Sequence, residues 1–316
     1  MPADPMNIAI VGTGLIGQAW AIVFARAGCQ VRVWDGDAAA LDGAVELIAG
    51  QARELQSRHL LDDASALIAR IHASPDLAEA LDSAAYAQES LPEVLTAKQD
   101  IFRRIDELAG PATILASSTS SIPASAFTEH LPGRGRCLVA HPVNPPYLVP
   151  VVELCGAPWT EPGTVDRARS IMLAVGQRPV VVRKEVDGFI LNRLQGALLR
   201  EAFRLVQDGY ISVEDLDATV SDGLGLRWSF MGPFETIDLN APGGLADYCV
   251  RYGAMYESIA QQQVDTSAWP AALVADVDRQ RRVQLPADAL LERRRWRDRR
   301  LMALLHHKKQ MEATDP

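Results

Sequence analysis

The sequence predicts an α/β fold: a doubly wound, Rossmann-like sheet followed by a mainly α-helical C-terminal domain. Three observations predict it. An apolar run enters a three-glycine turn at Ile8 to Gly17 (I-A-I-V-G-T-G-L-I-G). From residue 7 to about 183, short β-branched runs alternate with helical stretches, the pattern of a parallel sheet with crossover helices. After Asp187-Gly188 the strand signal stops and helical periodicity takes over.

Taken in order, strands are expected at 7–11, 30–34, 114–116, 136–140, 149–154 and 179–182. Gly12 permits the tight turn after the first, Gly14 lets the backbone approach a pyrophosphate, and Gly17 lets the helix from Gln18 pack close to the sheet. Leu15 and Ile16 open that helix, whose N-terminus suits an anion. The second strand, V-R-V-W-D, ends at Asp35, eighteen residues after Gly17, where a carboxylate can accept from both hydroxyls of an adenosine ribose. Asp37 beside it would repel a 2′-phosphate. NAD is the expected cofactor; FAD uses a similar turn, but a hydride acceptor fits the groups found downstream.

Ala38–Ile71 reads as a helical insertion, too long for one crossover helix and expected to project as a hairpin before the turn at Ser74-Pro75-Asp76. The expected domains are 1–185, binding the nucleotide, and 186–316, all-α, for substrate and dimerisation. Within the second, helices are expected at Phe189–Gln207 and from Val213, the stretch G-L-G-L-R-W-S-F-M-G-P-F as a loop, and 261–292 as partly loose.

The 316 residues suffice for two domains. No run of eighteen apolar residues and no secretory signal is seen, so no membrane partner and a cytoplasmic location are expected. Cys29, Cys137, Cys155 and Cys249 show no metal-ligand spacing, nor do the histidines, and no metal is expected. The net charge is −9, yet Arg279–Lys309 holds eleven Lys and Arg against three Asp and Glu. An acidic body disfavours nucleic acid, so this basic segment is read as docking on an acidic surface of its own or a partner subunit.

The segment 136–154, R-C-L-V-A-H-P-V-N-P-P-Y-L-V-P-V-V-E-L, carries His141 at one strand end and Glu153 on the next. An imidazole braced by a carboxylate is a general base, although a strand-end histidine is as often structural. Here the sequence resembles a known family. Ala116-Ser117-Ser118-Thr119-Ser120-Ser121, His141-Pro142-Val143-Asn144-Pro145, Glu153 and Asp187-Gly188-Phe189-Ile190-Leu191-Asn192-Arg193 are similar in order and spacing to the 3-hydroxyacyl-CoA dehydrogenase superfamily. H-P-V-N-P-P-Y, K-E-V-D-G-F-I-L-N-R-L-Q and S-D-G-L-G-L-R-W-S-F-M-G-P-F-E-T narrow the resemblance to the lambda-crystallin branch, whose enzymatic members are L-gulonate 3-dehydrogenases.

The resemblance implies that His141 is the general base, Glu153 its partner, and that Ser120 and Asn192 hydrogen-bond the reacting oxygen. It puts Glu93 and Lys98 near the nicotinamide ribose and Ser117 near the carboxamide. It also implies a homodimer. The acyl-CoA members read G-Y-P-M-G-P-F where this chain reads L-R-W-S-F-M-G-P-F, so Arg227 is the informative difference. A guanidinium fork suits the free C1 carboxylate of a small 3-hydroxy acid; a salt bridge to Asp222 or Glu235 is the competing reading. No lysine occurs before Lys98, which leaves the helical insertion without lysine anchors for CoA phosphates. The expected activity is NAD-dependent oxidation of such an acid, L-gulonate leading. The alternatives are a 3-hydroxyacyl-CoA dehydrogenase, an L-carnitine dehydrogenase, or a non-catalytic crystallin-like NAD-binding protein.

Overall fold

The computed structural model describes residues 5–264 and 266–314, which form two compact units. In the first, the elements run β1 (Asn7–Val11), α1 (Leu15–Arg26), β2 (Gln30–Trp34), α2 (Ala38–Ser57), α3 (Ala64–Ile68), β3 (Ile71–Ala73), α4 (Leu77–Leu81) and β4 (Tyr86–Glu89). They continue with α5 (Leu95–Leu108), β5 (Ile114–Ser117), α6 (Ser125–Thr128), β6 (Cys137–Pro142), β7 (Val151–Gly156), α7 (Pro162–Ala174), β8 (Arg178–Val182) and α8 (Phe189–Gln207). The sheet order is β3-β2-β1-β4-β5-β6-β7-β8. Pairing is parallel throughout except β6 with β7, which is antiparallel. The order reverses between β1 and β4, where doubly wound sheets open a crevice for ligands.

Apolar residues cover both faces of the sheet, as buried parallel strands require. Ile8, Ile10 and Tyr86 point into one cluster with Trp20 and Phe24 of α1. Ala9, Val11 and Ala87 point into the other with Ile101, Phe102 and Ile105 of α5. Three helices start on aspartate caps: Asp37 accepts from Ala39 N at 2.9 Å, Asp63 from Ala66 N at 3.0 Å and Asp76 from Glu79 N at 2.9 Å.

Several expectations are corrected. β3 and β4 were not anticipated: β3 is a three-residue edge, and β4 carries Gln88 and Glu89 buried in polar networks, which breaks the apolar signature. The insertion at 38–71 is a helical pair, but it does not project. Leu41, Ile48, Ala52 and Leu55 of α2, with Ala64 and Leu67 of α3, are buried in the cluster that holds Trp20. By packing, the first unit runs through Arg193 and regains the chain at Arg295. Met302 is buried in that unit's core, with Leu301 and Leu305 against it.

The second unit, Leu194–Arg294, is helical. Beyond its part of α8 it contains α9 (Val213–Ala218), a π-helical turn (Thr219–Leu224), α10 (Gly225–Trp228), α11 (Pro233–Asp238), α12 (Gly244–Gln262), α13 (Ala271–Gln284) and the start of α14 (Leu290–Thr314). The expected loop around Arg227 is therefore mostly helical, and the region expected to be loose holds α13; neither has the long amphipathic run that sequence periodicity detects. Among the described residues no helix is long and apolar enough to cross a membrane.

Candidate active site

The glycine turn follows β1 and meets the crevice. Gly12 has φ +102°, a conformation that L side chains resist, and a Cβ there would lie 2.9 Å from the Ser90 carbonyl. At Gly17 a Cβ would lie 1.9 Å from the Gly12 oxygen, so α1 can approach the turn only with glycine there. Gly14 is different: its φ is −63° and a Cβ would meet no protein atom within 4 Å. The fold does not demand glycine at that position, which fits an approach by something other than protein. Gly14 is also the N-cap of α1 and supplies no side-chain cap, leaving the N–H groups of the first turn, Leu15 and Ile16 among them, to a ligand or solvent.

Asp35 is held at the tip of β2. One oxygen accepts from Thr13 N at 2.7 Å and Thr13 Oγ1 at 2.9 Å, the other from Asp37 N at 3.0 Å. Asp37 is exposed and caps α2, so this second acid has a structural task as well. The turn, the helix N-terminus and the oriented Asp35 fit a dinucleotide.

Across the crevice stands a buried charged cluster. Lys98 of α5 donates to both Glu89 oxygens at 3.1 Å, approaches Ser117 Oγ at 3.5 Å and lies 3.8 Å from Glu93. Ser117 Oγ also donates to Glu89, as does Leu91 N at 2.6 Å. Burial holds the Glu89 carboxyl above its ordinary value, and the Lys98 charge and these donors offset only part of that push. Glu89 was not singled out from the sequence; its only signal was an acid closing a short strand.

Glu93 ties the serine loop down. Its Oε1 accepts from Thr119 Oγ1, from Ser120 N at 3.1 Å, and from Ser121 N and Oγ at 2.9 Å. Burial pushes this carboxyl up, but the hydrogen bonds from Thr119 and Ser121 and the Lys98 charge outweigh it and hold the group below its ordinary value. Ser120 thereby has a fixed backbone, and its carbonyl accepts from Asn192 Nδ2 at 3.0 Å.

His141 and Glu153 are direct register partners across the antiparallel β6 and β7. His141 Nδ1 lies 2.8 Å from Glu153 Oε2, and both side chains are buried. The other Glu153 oxygen accepts from Ile190 N at 2.8 Å and Leu191 N at 3.0 Å, at the N-terminus of α8. Burial pushes the Glu153 carboxyl up, yet the hydrogen bonds from His141, Leu191 and Ile190 prevail and hold it below the usual range. An ionised Glu153 requires a proton on Nδ1, which leaves Nε2 as the basic nitrogen. Phe189, buried with φ +49°, packs its ring 5.5 Å from the imidazole, a contact the sequence did not disclose.

The first unit therefore brings together Ser120 with Asn192, His141 with Glu153, and Ser117 with Lys98 and Glu93. Arg227 lies in the second unit on α10, exposed, and among the described residues it forms no ion pair with Asp222 or Glu235.

Residues 7–186 match the NAD-binding domain of 3-hydroxyacyl-CoA dehydrogenase, and residues 188–281 match its C-terminal domain. The chain belongs to the 3-hydroxyacyl-CoA dehydrogenase family. Within it the lambda-crystallin branch is evident: lambda-crystallin of Oryctolagus cuniculus is 40% identical over 311 residues, covering 97% of both chains. L-carnitine dehydrogenase of Streptomyces griseus is 38% identical over 88% of this chain and 80% of its own. Among solved structures, 5-formyl-3-hydroxy-2-methylpyridine 4-carboxylic acid 5-dehydrogenase, an NAD+ dependent dismutase, aligns with a TM-score of 0.81 at 30% identity over 95% of this chain and 97% of that one. The 3-hydroxybutyryl-CoA dehydrogenase of Escherichia coli aligns at 0.66 and 28% identity over 80% of this chain and 53% of that one. This member of the dehydrogenase family is an NAD-dependent oxidoreductase.

Proposed function

We propose that this protein oxidises the 3-hydroxyl of a small 3-hydroxy acid to the 3-keto acid with NAD+, L-gulonate being the leading substrate. The observation that carries the reading is the buried His141–Glu153 pair, at 2.8 Å and fixed by strand register. His141 Nε2 takes the proton of the C3 hydroxyl, and Glu153 stabilises the imidazolium that forms. Ser120 and Asn192 hold the reacting oxygen; the contact between them keeps both at one place. NAD+ supplies the hydride acceptor. Gly12, Gly14, Leu15, Ile16, Gly17 and Asp35 would hold its adenosine diphosphate half, with Glu93, Lys98 and Ser117 toward the nicotinamide half.

Arg227 is assigned to the substrate's C1 carboxylate. Its exposure without an Asp222 or Glu235 ion pair supports that assignment over the salt-bridge reading. The names of the L-carnitine and pyridinecarboxylic acid dehydrogenases point to free acids as well. The protein is read as a cytoplasmic homodimer joined through its helical unit, without nucleic-acid or membrane partners.

The test is NADH formation from L-gulonate, 3-hydroxybutyrate, L-carnitine and 3-hydroxybutyryl-CoA side by side, with His141→Ala as control. Preference for a free acid is expected, gulonate foremost, and the variant should lose roughly 10²–10⁴-fold in kcat while still binding NAD+. Preference for the thioester would overturn the free-acid assignment and make Arg227 structural. Unchanged turnover in the variant would sink the mechanism.

A further inference from the structure

Val11, Glu89 and Ser117 are Cα partners in one row across β1, β4 and β5. The row lies at the carboxyl ends of the strands, where the sheet order reverses, and the glycine turn begins immediately after Val11. Gly12 packs on the residue after Glu89, since a Cβ there would touch the Ser90 backbone at 2.9 Å. Glu89 therefore stands directly under the crevice, although neither the family resemblance nor the reading above gives it a role.

Its surroundings favour the carboxylate. Lys98 Nζ donates to both Glu89 oxygens and Leu91 N to one of them, and this charge and these donors oppose the upward push of burial. The Lys98 and Glu89 side chains are 1% and 0% exposed, and Glu93, 3.8 Å from the ammonium, is 39% exposed. Two carboxylates thus share one ammonium. A merely structural ion pair would be neutral; with both carboxylates ionised this cluster carries one surplus negative charge, its Glu89–Lys98 part shielded from water and its Glu93 end half-exposed.

We propose that the Glu89–Lys98–Glu93 triad is an electrostatic device that biases the nucleotide site toward the oxidised, cationic cofactor relative to the reduced one. The proposal rests on the reading that Lys98, Glu93 and Ser117 face the nicotinamide half. The nicotinamide ring is a cation in NAD+ and neutral in NADH, so a surplus negative charge beside it acts on one form and leaves the other nearly untouched. Such a difference in affinity moves the bound couple toward its oxidised member by the same factor. Glu89 is then a positioning residue: it holds the ammonium and the Ser117 hydroxyl in place, and supplies half of the charge that Lys98 alone cannot balance.

The experiment is to titrate the full-length protein with NAD+ and with NADH separately and compare the ratio of the two Kd values in the wild type, Glu89→Gln and Glu93→Gln. Each substitution is isosteric and brings the triad to neutrality. The expected result is a ratio Kd(NAD+)/Kd(NADH) that rises at least tenfold in both variants, the scale for removing one charge about 12 Å from a cation at an effective dielectric of about 20, with a larger rise at shorter distances. Should Glu89→Gln fail to fold, Glu93→Gln decides alone, because its half-exposed amide oxygen still accepts from the serine loop. If both Kd values rise together, the triad is structural and the proposal falls while the cofactor reading stands. If neither Kd moves in either variant, the triad does not face the cofactor, and the assignment of Lys98 and Glu93 falls with it.

Discussion

At the scale of single residues, the site is built from carboxylates that each gather three or more donors. Glu153 receives an imidazole and two backbone N–H groups, Glu93 a set of loop donors, and Glu89 an ammonium, a hydroxyl and an amide. For Glu153 this has a pH signature. Its folded-state pKa is depressed, so its stabilising contribution is whole above the ordinary glutamate value of 4.5 and is lost as pH falls through the lower folded value. Glu153→Gln removes that contribution. The Tm difference between wild type and variant should be constant above pH 4.5 and shrink below it; a difference unchanged in acid would show that Glu153 folds without its charge. The pairing of His141 with Glu153 was legible because both sit on strands joined by a short connector, so their meeting needed only a register. Glu89 was not legible, because its partners Lys98 and Ser117 come from α5 and β5, and nothing local marks that meeting.

At the scale of elements, the glycine turn separates residues that serve the fold from those that serve the ligand. Gly17→Ala drives a Cβ into the Gly12 carbonyl at 1.9 Å, which should cost about 3 kcal/mol or prevent folding. Gly14→Ala meets no protein atom and keeps an ordinary φ of −63°, so its cost in urea unfolding should stay below about 1 kcal/mol. NAD+ affinity should nonetheless fall about tenfold, because a methyl group would stand where the pyrophosphate approaches. Equal destabilisation by both substitutions would refute the division of labour. The α2–α3 pair shows where local reading stops. Its helical character was plain in the sequence, but whether its apolar stripe projects or packs depends on Trp20 and its neighbours supplying a surface to meet it.

At the scale of the whole molecule, the helical unit leaves large side chains uncovered: Leu226, Phe230, Phe234 and Leu239 are 64–75% exposed and Val250 is 84% exposed. Exposed apolar groups in such number mark an association surface, and the expected partner is a second copy. Sedimentation velocity should find a two-chain species that Phe234→Asp converts to single chains; a wild type that sediments as one chain would end that reading. The α/β class, the nucleotide-binding turn, the pairing of His141 with Glu153 and the family can all be read along the chain, because each is written in a short run whose spacing mirrors local geometry. Folding in three dimensions was needed to show that the insertion packs down, that Met302 near the C-terminus completes the first unit's core, and that Glu89 and Glu93 meet around Lys98. Those outcomes depend on which distant surfaces meet. Burial and charge compensation are properties of the meeting, and periodicity along the chain carries no record of it.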